Sequence, residues 1–335
     1  MGNKKGKEKI SKSKGGAEHV SEAAKTYGID AMRLYYAHVG SSSVDIEWDA
    51  ESVLKYKNRI GIINRSIRQF KNITGEKNKN LDEWLQNQMN LHIKNINKLF
   101  TSLNLRDAAN EIYFEMQKDM QWYKKRGGIN KEITKWYLTE WLKLMTPITP
   151  HITEEIWNEE NDNFISNQTF PIINKDQLFP KAEVGEYLIK NLIDDINEIT
   201  KVTKITPKKI LIYVSQKWKK DVFSKAITDS ENNSLNIGNI IKELMKDPLL
   251  RKQGKEISKY TSKLPSEIKR LQELDKKRYQ TEIDENQYLT TEKYFLEDFL
   301  KCTIKIYNAD EQEKIDPENK SRFAVPLRPA IYIEQ

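Results

Sequence analysis

At 335 residues the chain can hold two or three domains, each with a core of its own. Charged residues make up 31% and hydrophobic ones 38%, as in a helix-rich protein with long polar faces, and 56 Lys and Arg against 49 Asp and Glu leave +7, compatible with a polyanionic partner. The single cysteine, Cys302, excludes a disulfide framework and any cysteine-based zinc site, and no membrane-length apolar run or secretion signal is present, so a cytoplasmic protein is expected.

Residues 1 to about 20 read as a basic, glycine-containing loop. Within it, Lys9-Ile10-Ser11-Lys12-Ser13-Lys14-Gly15-Gly16 alternates lysines with hydroxyls and closes on two glycines. Ammonium groups act as point charges on phosphate oxygens, hydroxyls add hydrogen bonds, and glycines let backbone N–H groups approach closely. The Gly-x-x-x-x-Gly-Lys-Ser/Thr phosphate loop is excluded, because Gly2 and Gly6 are too close and Glu8 follows Lys7. Taken alone, the run is either a phosphate-gripping loop or a solvated basic leader. A short helix is predicted from Val20 or Ser21 to Tyr27, closed by Gly28. Asp30 is then predicted to cap a second helix carrying Met32, Leu34, Tyr35 and Tyr36. Val44-Asp45-Ile46-Glu47-Trp48 alternates as a short strand or extended link.

From Asp49 a helical pattern continues for about a hundred residues, the length of one bundle domain. Ala50 to Phe70 carries Val53, Leu54, Ile60, Ile63 and Ile67 at helical spacing. Leu81 to Leu103 carries Trp84, Leu85, Met89, His92, Ile96, Leu99 and Phe100. Arg106 to Lys125 carries Ala108, Ile112, Met116, Met120 and Tyr123, and Gly127-Gly128 stops it. A fourth helix after Asn130 bears Ile133, Trp136, Tyr137, Trp141, Leu142 and Met145 up to Pro147. These stripes are bundle core, the tryptophans included.

Asn158 to Lys181 is a polar connection, and Val184 to Lys201 returns to helix. Ile210 to Val214 is an apolar, β-branched strand, with a helix near Gln216 to Ala226. Asn239 to Leu264 is polar and mostly helical. Its Lys242, Lys246, Arg251, Lys252, Lys255, Lys259 and Lys263 form either a phosphate-facing surface or a solvated helix face. Ser266 to Arg278 and Thr291 to Leu300 read as helices, Thr303 to Tyr307 and Pro329 to Glu334 as strands. That makes a small α+β domain with at least three strands. His19, His38, His92 and His151 stand apart, each in a structural or surface role.

Three stretches carry a family resemblance. Lys9 to Ser13 resembles the Lys-Met-Ser-Lys-Ser loop of class I aminoacyl-tRNA synthetases. Tyr27-Gly28-Ile29-Asp30-Ala31-Met32-Arg33-Leu34-Tyr35 resembles the Tyr-Gly-Ala-Asp-Ala-x-Arg-Leu-Tyr segment that follows the loop. Thr146 to Trp157 is similar to the Pro-Phe-x-Pro-His-x-x-Glu-Glu-Ile-Trp of the leucyl, isoleucyl and valyl members. Ile10 replaces methionine, and Gly16 stands where many members have asparagine. The archaeal and eukaryotic leucyl-tRNA synthetases resemble the chain further. Val44 to Trp48 is similar to their Asp-Phe-Asp-Trp link, Arg106 to Tyr123 to their third bundle helix, and Asp316 to Glu334 to their C-terminal tail. The likeness covers essentially the whole chain, but only the part of a synthetase from the lysine loop onward; the His-Ile-Gly-His motif does not occur.

The resemblance implies a mainly α chain. Residues 1–48 would hold the loop and a tRNA-stem segment, 49–160 an anticodon-binding-type helical bundle, 161–182 a linker, and 183–335 an α+β C-terminal tRNA-binding region. It implies a leucine–tRNA ligase with Lys9 and Lys12 as catalytic lysines, and with Lys12, Ser11 and Ser13 on the phosphates of ATP, Mg2+ sharing their charge. Lys320, Arg322, Arg328, Ile333 and Glu334 are implied contacts to the long variable arm of leucine tRNA; the other reading makes them edge-strand and solvated residues. Leucine and ATP would enter through a missing N-terminal half; either a second chain carries that half or this chain is a fragment of a longer one, and alone it would be inactive. No metal site of its own is expected. Two readings stay open beside this one: a non-catalytic tRNA-binding module of synthetase-derived fold, and an isoleucyl or valyl counterpart.

Overall fold

The computed structural model describes residues 2–4, 8–9, 19–40, 46–72 and 78–334. It divides into two compact units, Met1–Phe179 and Pro180–Gln335.

The first unit starts with β1 (Gly2–Lys4) and β2 (Glu8–Lys9), where a loop was expected. They pair antiparallel, and β1 runs parallel to β3 (Ile46–Trp48). Pairing with Ile46–Trp48, and not intrinsic propensity, makes strands of Gly-Asn-Lys and Glu-Lys. Between them, α1 (Val20–Tyr27) ends at Gly28 and α2 (Ile29–Val39) begins beyond it. Gly28 has φ +86°, a conformation a Cβ would strain.

The bundle comprises α3 (Ala50–Lys71), α4 (Lys79–Thr101), α5 (Leu105–Asn110), α6 (Met116–Lys125), α7 (Lys131–Met145) and α8 (Pro150–Trp157). Side chains of Asp49, Asn78, Asn104 and Asn130 cap α3, α4, α5 and α7 by accepting first-turn N–H groups. Trp84, Leu85, Met89, Ile96, Met116, Met120, Tyr137, Trp141 and Met145 are buried as the stripes predicted. Leu54 is exposed, since it lies one residue off the stripe that Val53, Ile63 and Ile67 define. Gly128 turns the chain tightly between α6 and α7: a Cβ there would sit 2.5 Å from the Tyr123 ring.

The single helix expected from Arg106 to Lys125 is interrupted by a π-helical turn, Glu111–Glu115, joining α5 to α6. A π turn loosens the i→i−4 ladder and leaves carbonyls that need other donors. The bundle supplies them. Trp141 Nε1 donates to Ile112 O at 2.7 Å and Arg59 Nε to Tyr113 O at 2.8 Å, while Tyr137 OH donates to Met116 O, at the start of α6, at 3.1 Å.

Most of the expected linker, residues 161–182, lies along this bundle. Glu154 accepts the N–H groups of Ile165 and Ser166. Asn90 accepts from Asn174 N at 2.8 Å and donates to Gln177 O at 3.1 Å, and Asn87 accepts from Phe179 N at 2.9 Å. Three side chains thus satisfy backbone groups that a free connection would leave to water. The unit boundary falls at Phe179–Pro180.

The second unit opens with α9 (Pro180–Thr203), followed by β4 (Lys209–Val214). Then come α10 (Lys217–Glu231), α11 (Ile237–Leu244), α12 (Pro248–Arg251), α13 (Gly254–Thr261), α14 (Leu264–Arg270), α15 (Glu273–Gln280), α16 (Glu285–Thr291) and α17 (Lys293–Leu300). β5 (Thr303–Asn308) lies parallel to β4, and β6 (Ala330–Glu334) antiparallel on its other side. β4 is therefore central, and Ile210 to Val214 are buried, as a continuous apolar run requires. The parallel β4–β5 pair needs a crossover, which α10–α17 form, with α10–α15 packed around Trp218, Val222, Phe223, Ile257, Leu264 and Ile268. The helix expected over Ser266–Arg278 breaks at Leu271, whose extended backbone (ψ 136°) ends α14. Among the described residues no helix is long and apolar enough to cross a membrane.

Candidate functional site

Two of the sequence motifs meet in the first unit. Asp30, expected to cap its own helix, instead caps α8. Its carboxylate accepts Ile152 N at 2.7 Å and faces His151 at 3.4 Å (N) and 2.9 Å (Nδ1). Pro150, first in α8, has no N–H, so the next two amides are the free donors that a carboxylate satisfies. One turn on, Arg33 donates from Nε to Ile148 O and from Nη2 to Pro147 O, both at 2.8 Å. An acid and a base on one face of α2 thus hold the amides after the Pro147–Pro150 turn and the carbonyls within it. Asp30→Ala is expected to destabilise the chain by about 2 kcal/mol, the loss of a buried charged cap. Denaturant titration followed by tryptophan fluorescence would detect it, and an unmoved midpoint would contradict it.

The other end of α2 is held as well. Arg106 donates to the carbonyls of His38 (3.2 Å) and Val39 (2.8 Å), the last turn of the helix. His38 stacks on Phe114 and bonds through Nδ1 to Tyr56 OH at 2.7 Å. Burial, with Arg106 beside it, pushes the His38 pKa down and keeps the ring neutral.

His92 does not stand apart. It is buried between Glu111 (Nδ1, 2.7 Å) and Asp119 (Nε2, 2.9 Å), the first on the π turn and the second on α6. Burial alone would lower its pKa, but bonds and charge from the two carboxylates raise it to about 9. The ring is an imidazolium with both N–H groups donating.

Of the predicted phosphate residues, Lys9 lies in β2 opposite Asn3, while Ser11, Lys12 and Ser13 fall outside the described residues. The tail residues are visible. Glu334, on edge strand β6, binds Lys209 Nζ through both oxygens at 2.9 Å, and Ile333 pairs with Ile210. Arg328 meets Asp195 at 2.8 Å yet keeps 59% of its side chain exposed. Lys320 is 3.3 Å from Glu318, and the Arg322 guanidinium lies 4.7 Å over the Phe323 ring. The structure thus gathers Lys320 and Arg322 on one turn and puts Arg328, Ile333 and Glu334 on or beside β6. The Lys242 to Lys263 basic set is exposed, with no ion pair among the described residues. Sequence reasoning missed the Asp30–α8 link, whose one signal was Pro150, and it missed Phe323 altogether.

A profile for the anticodon-binding domain of tRNA ligase matches residues 82–212, from α4 to β4. The leucine–tRNA ligase of Methanococcoides burtonii is 36% identical over 341 residues, covering 97% of this chain and 34% of its own length. That of Methanosarcina barkeri is 33% identical over 340 residues, covering 98% and 34%. Among solved structures, the LeuRS of Agrobacterium radiobacter K84 agnB2, in a ternary complex with tRNA and LeuAMS, aligns at TM-score 0.46 and 17% identity over 64% of this chain and 25% of that one. The chain spans about a third of the length of the curated relatives it matches, in their C-terminal part. Over that span it belongs to the leucine–tRNA ligase family.

Proposed function

We propose that this chain is the part of a leucine–tRNA ligase that supplies the lysine loop for leucine activation and grips leucine tRNA. The observation that carries this reading is the alignment of 97% of the chain with leucine–tRNA ligases. The bond between the Tyr27–Tyr35 and Thr146–Trp157 motifs, made by Asp30 and Arg33, supports it. When leucine carboxylate attacks ATP, negative charge grows on the departing phosphates. Lys12, with Lys9, places ammonium charge there, and Ser11 and Ser13 add hydrogen bonds, which speeds the step to the extent that they bind the transition state more tightly than the ground state. Mg2+ carried with ATP shares that charge. The bundle holds the tRNA body by shape and phosphate contact, while Lys320, Arg322, Arg328, Ile333 and Glu334 meet the variable arm. Arg328 then exchanges Asp195 for an RNA phosphate. The leucine pocket and the His-Ile-Gly-His motif belong to the N-terminal half of the ligase, and the reaction takes place in the cytoplasm.

The test is leucine-dependent ATP–pyrophosphate exchange, run on this chain alone and after co-expression with a ligase N-terminal half. Activity is expected only in the mixture. Silence in both, with leucine tRNA still bound, would overturn the activation role and leave the non-catalytic tRNA-binding module.

A further inference from the structure

Between Asp316 and Leu327 the backbone enters the left-handed region three times without glycine: Glu318 (φ 60°), Asn319 (φ 54°) and Leu327 (φ 57°). Such angles are unfavourable for a residue with a Cβ and persist where the surroundings over-determine them. Here they do. Asp316 accepts Ser321 N and Oγ at 3.1 and 2.6 Å, and Tyr213 OH donates to Ile315 O at 2.7 Å. Glu285, on α16, accepts Leu327 N at 3.2 Å. Lys219, 2% exposed on α10, directs its ammonium onto Arg322 O and Ala324 O at 3.0 and 3.1 Å, with Glu256 at 2.8 Å as counter-charge.

What this scaffold holds in place is Phe323, 57% exposed next to exposed Arg322, while Ser321 and Ala324, which flank the pair, are buried. Its ring carries the Arg322 guanidinium, and Lys320 lies on the same turn. A protein-docking surface would need contiguous apolar area, whereas this is one aromatic face beside the Arg322 guanidinium, with Lys320 and its exposed partner Glu318 on the same turn. We infer that Phe323 is a stacking platform for an unpaired base of RNA, with Arg322 and Lys320 meeting the adjoining phosphates. The inference rests on the tRNA-binding reading above. Aromatic faces accept any base, and a guanidinium stacked on the ring extends the planar surface while supplying charge.

The test measures affinity of the full chain for a leucine tRNA transcript and for a blunt RNA duplex without unpaired bases. Phe323→Leu is expected to weaken transcript binding roughly tenfold, leave duplex binding unchanged and keep the salt dependence. Phe323→Trp should restore transcript affinity, and Arg322→Ala should lower the slope of log K against log salt. Unchanged transcript binding by Phe323→Leu would overturn the platform, as would an equal loss on the duplex. So would a loss confined to association with a ligase N-terminal half, which would mark Phe323 as a protein contact. If the unaltered chain bound neither RNA, the tRNA-binding reading itself would fall.

Discussion

Lys12→Ala is expected to lower leucine-dependent ATP–pyrophosphate exchange by about 10²–10³-fold in the assembly of this chain with a ligase N-terminal half. The reason is electrostatic. An ammonium aimed at phosphates that gain charge as the bond to pyrophosphate breaks is worth more in the transition state than in the ground state. The loss should therefore fall on kcat more than on KM for ATP. Lys12→Arg should recover activity only in part, because a planar guanidinium does not reproduce a compact, rotatable point charge. Affinity for leucine tRNA should not change. Exchange within twofold of the parent would remove Lys12 from the activation step and, with it, the main content of the catalytic proposal.

The second large effect concerns stability. His92 has a folded-state pKa of about 9 against 6.5 in the unfolded chain, because Glu111 and Asp119 hold its charged form. A raised histidine pKa stabilises the fold fully below pH 6.5 and loses that contribution as pH rises through about 9. The difference amounts to roughly 3 kcal/mol. The first unit should therefore weaken between pH 6.5 and 9. His92→Gln should be less stable by about that amount at neutral pH, with a flatter profile over the window. Six of the seven tryptophans lie in the first unit, so their fluorescence reports its unfolding. Parallel pH profiles for the two proteins would show that the two carboxylates do not hold the ring charged.

The bundle was legible because each helix buries a stripe, and a stripe is a local property. Ile63 and Ile67, Met116 and Met120, and Tyr137 and Trp141 follow the 3.6-residue period and are buried. β4 was legible for a related reason: a run of β-branched and apolar residues flanked on both sides needs no alternation. The site was legible as motifs but not as contacts. Asp30 looked like a local cap because aspartate next to a helix start usually is one. Gly28 had already set the start of α2, and the helix lacking an acceptor was α8, far along the chain. The π turn was likewise invisible, since its carbonyls are met by Arg59 and Trp141 from other helices. Phe323 escaped because an aromatic residue is read as core unless the fold turns it out.

The bonds from Asp30 and Arg33 to the Pro147–Ile152 stretch each span 114 to 122 residues. A ribosome delivers α2 well before these partners, and the groups that satisfy its acid and its base do not exist until Ile152 has been joined. Closing so long a loop costs on the order of 4 kcal/mol in chain entropy, so these bonds form on a bundle already folded rather than helping to nucleate it. The Asp30 and Arg33 side chains are thus made more than a hundred residues before the groups that seat them. Full anchorage of α2 is conditional on a finished bundle: a nascent chain interrupted before Pro147 can hold its last turn through Arg106 but lacks every partner of Asp30 and Arg33.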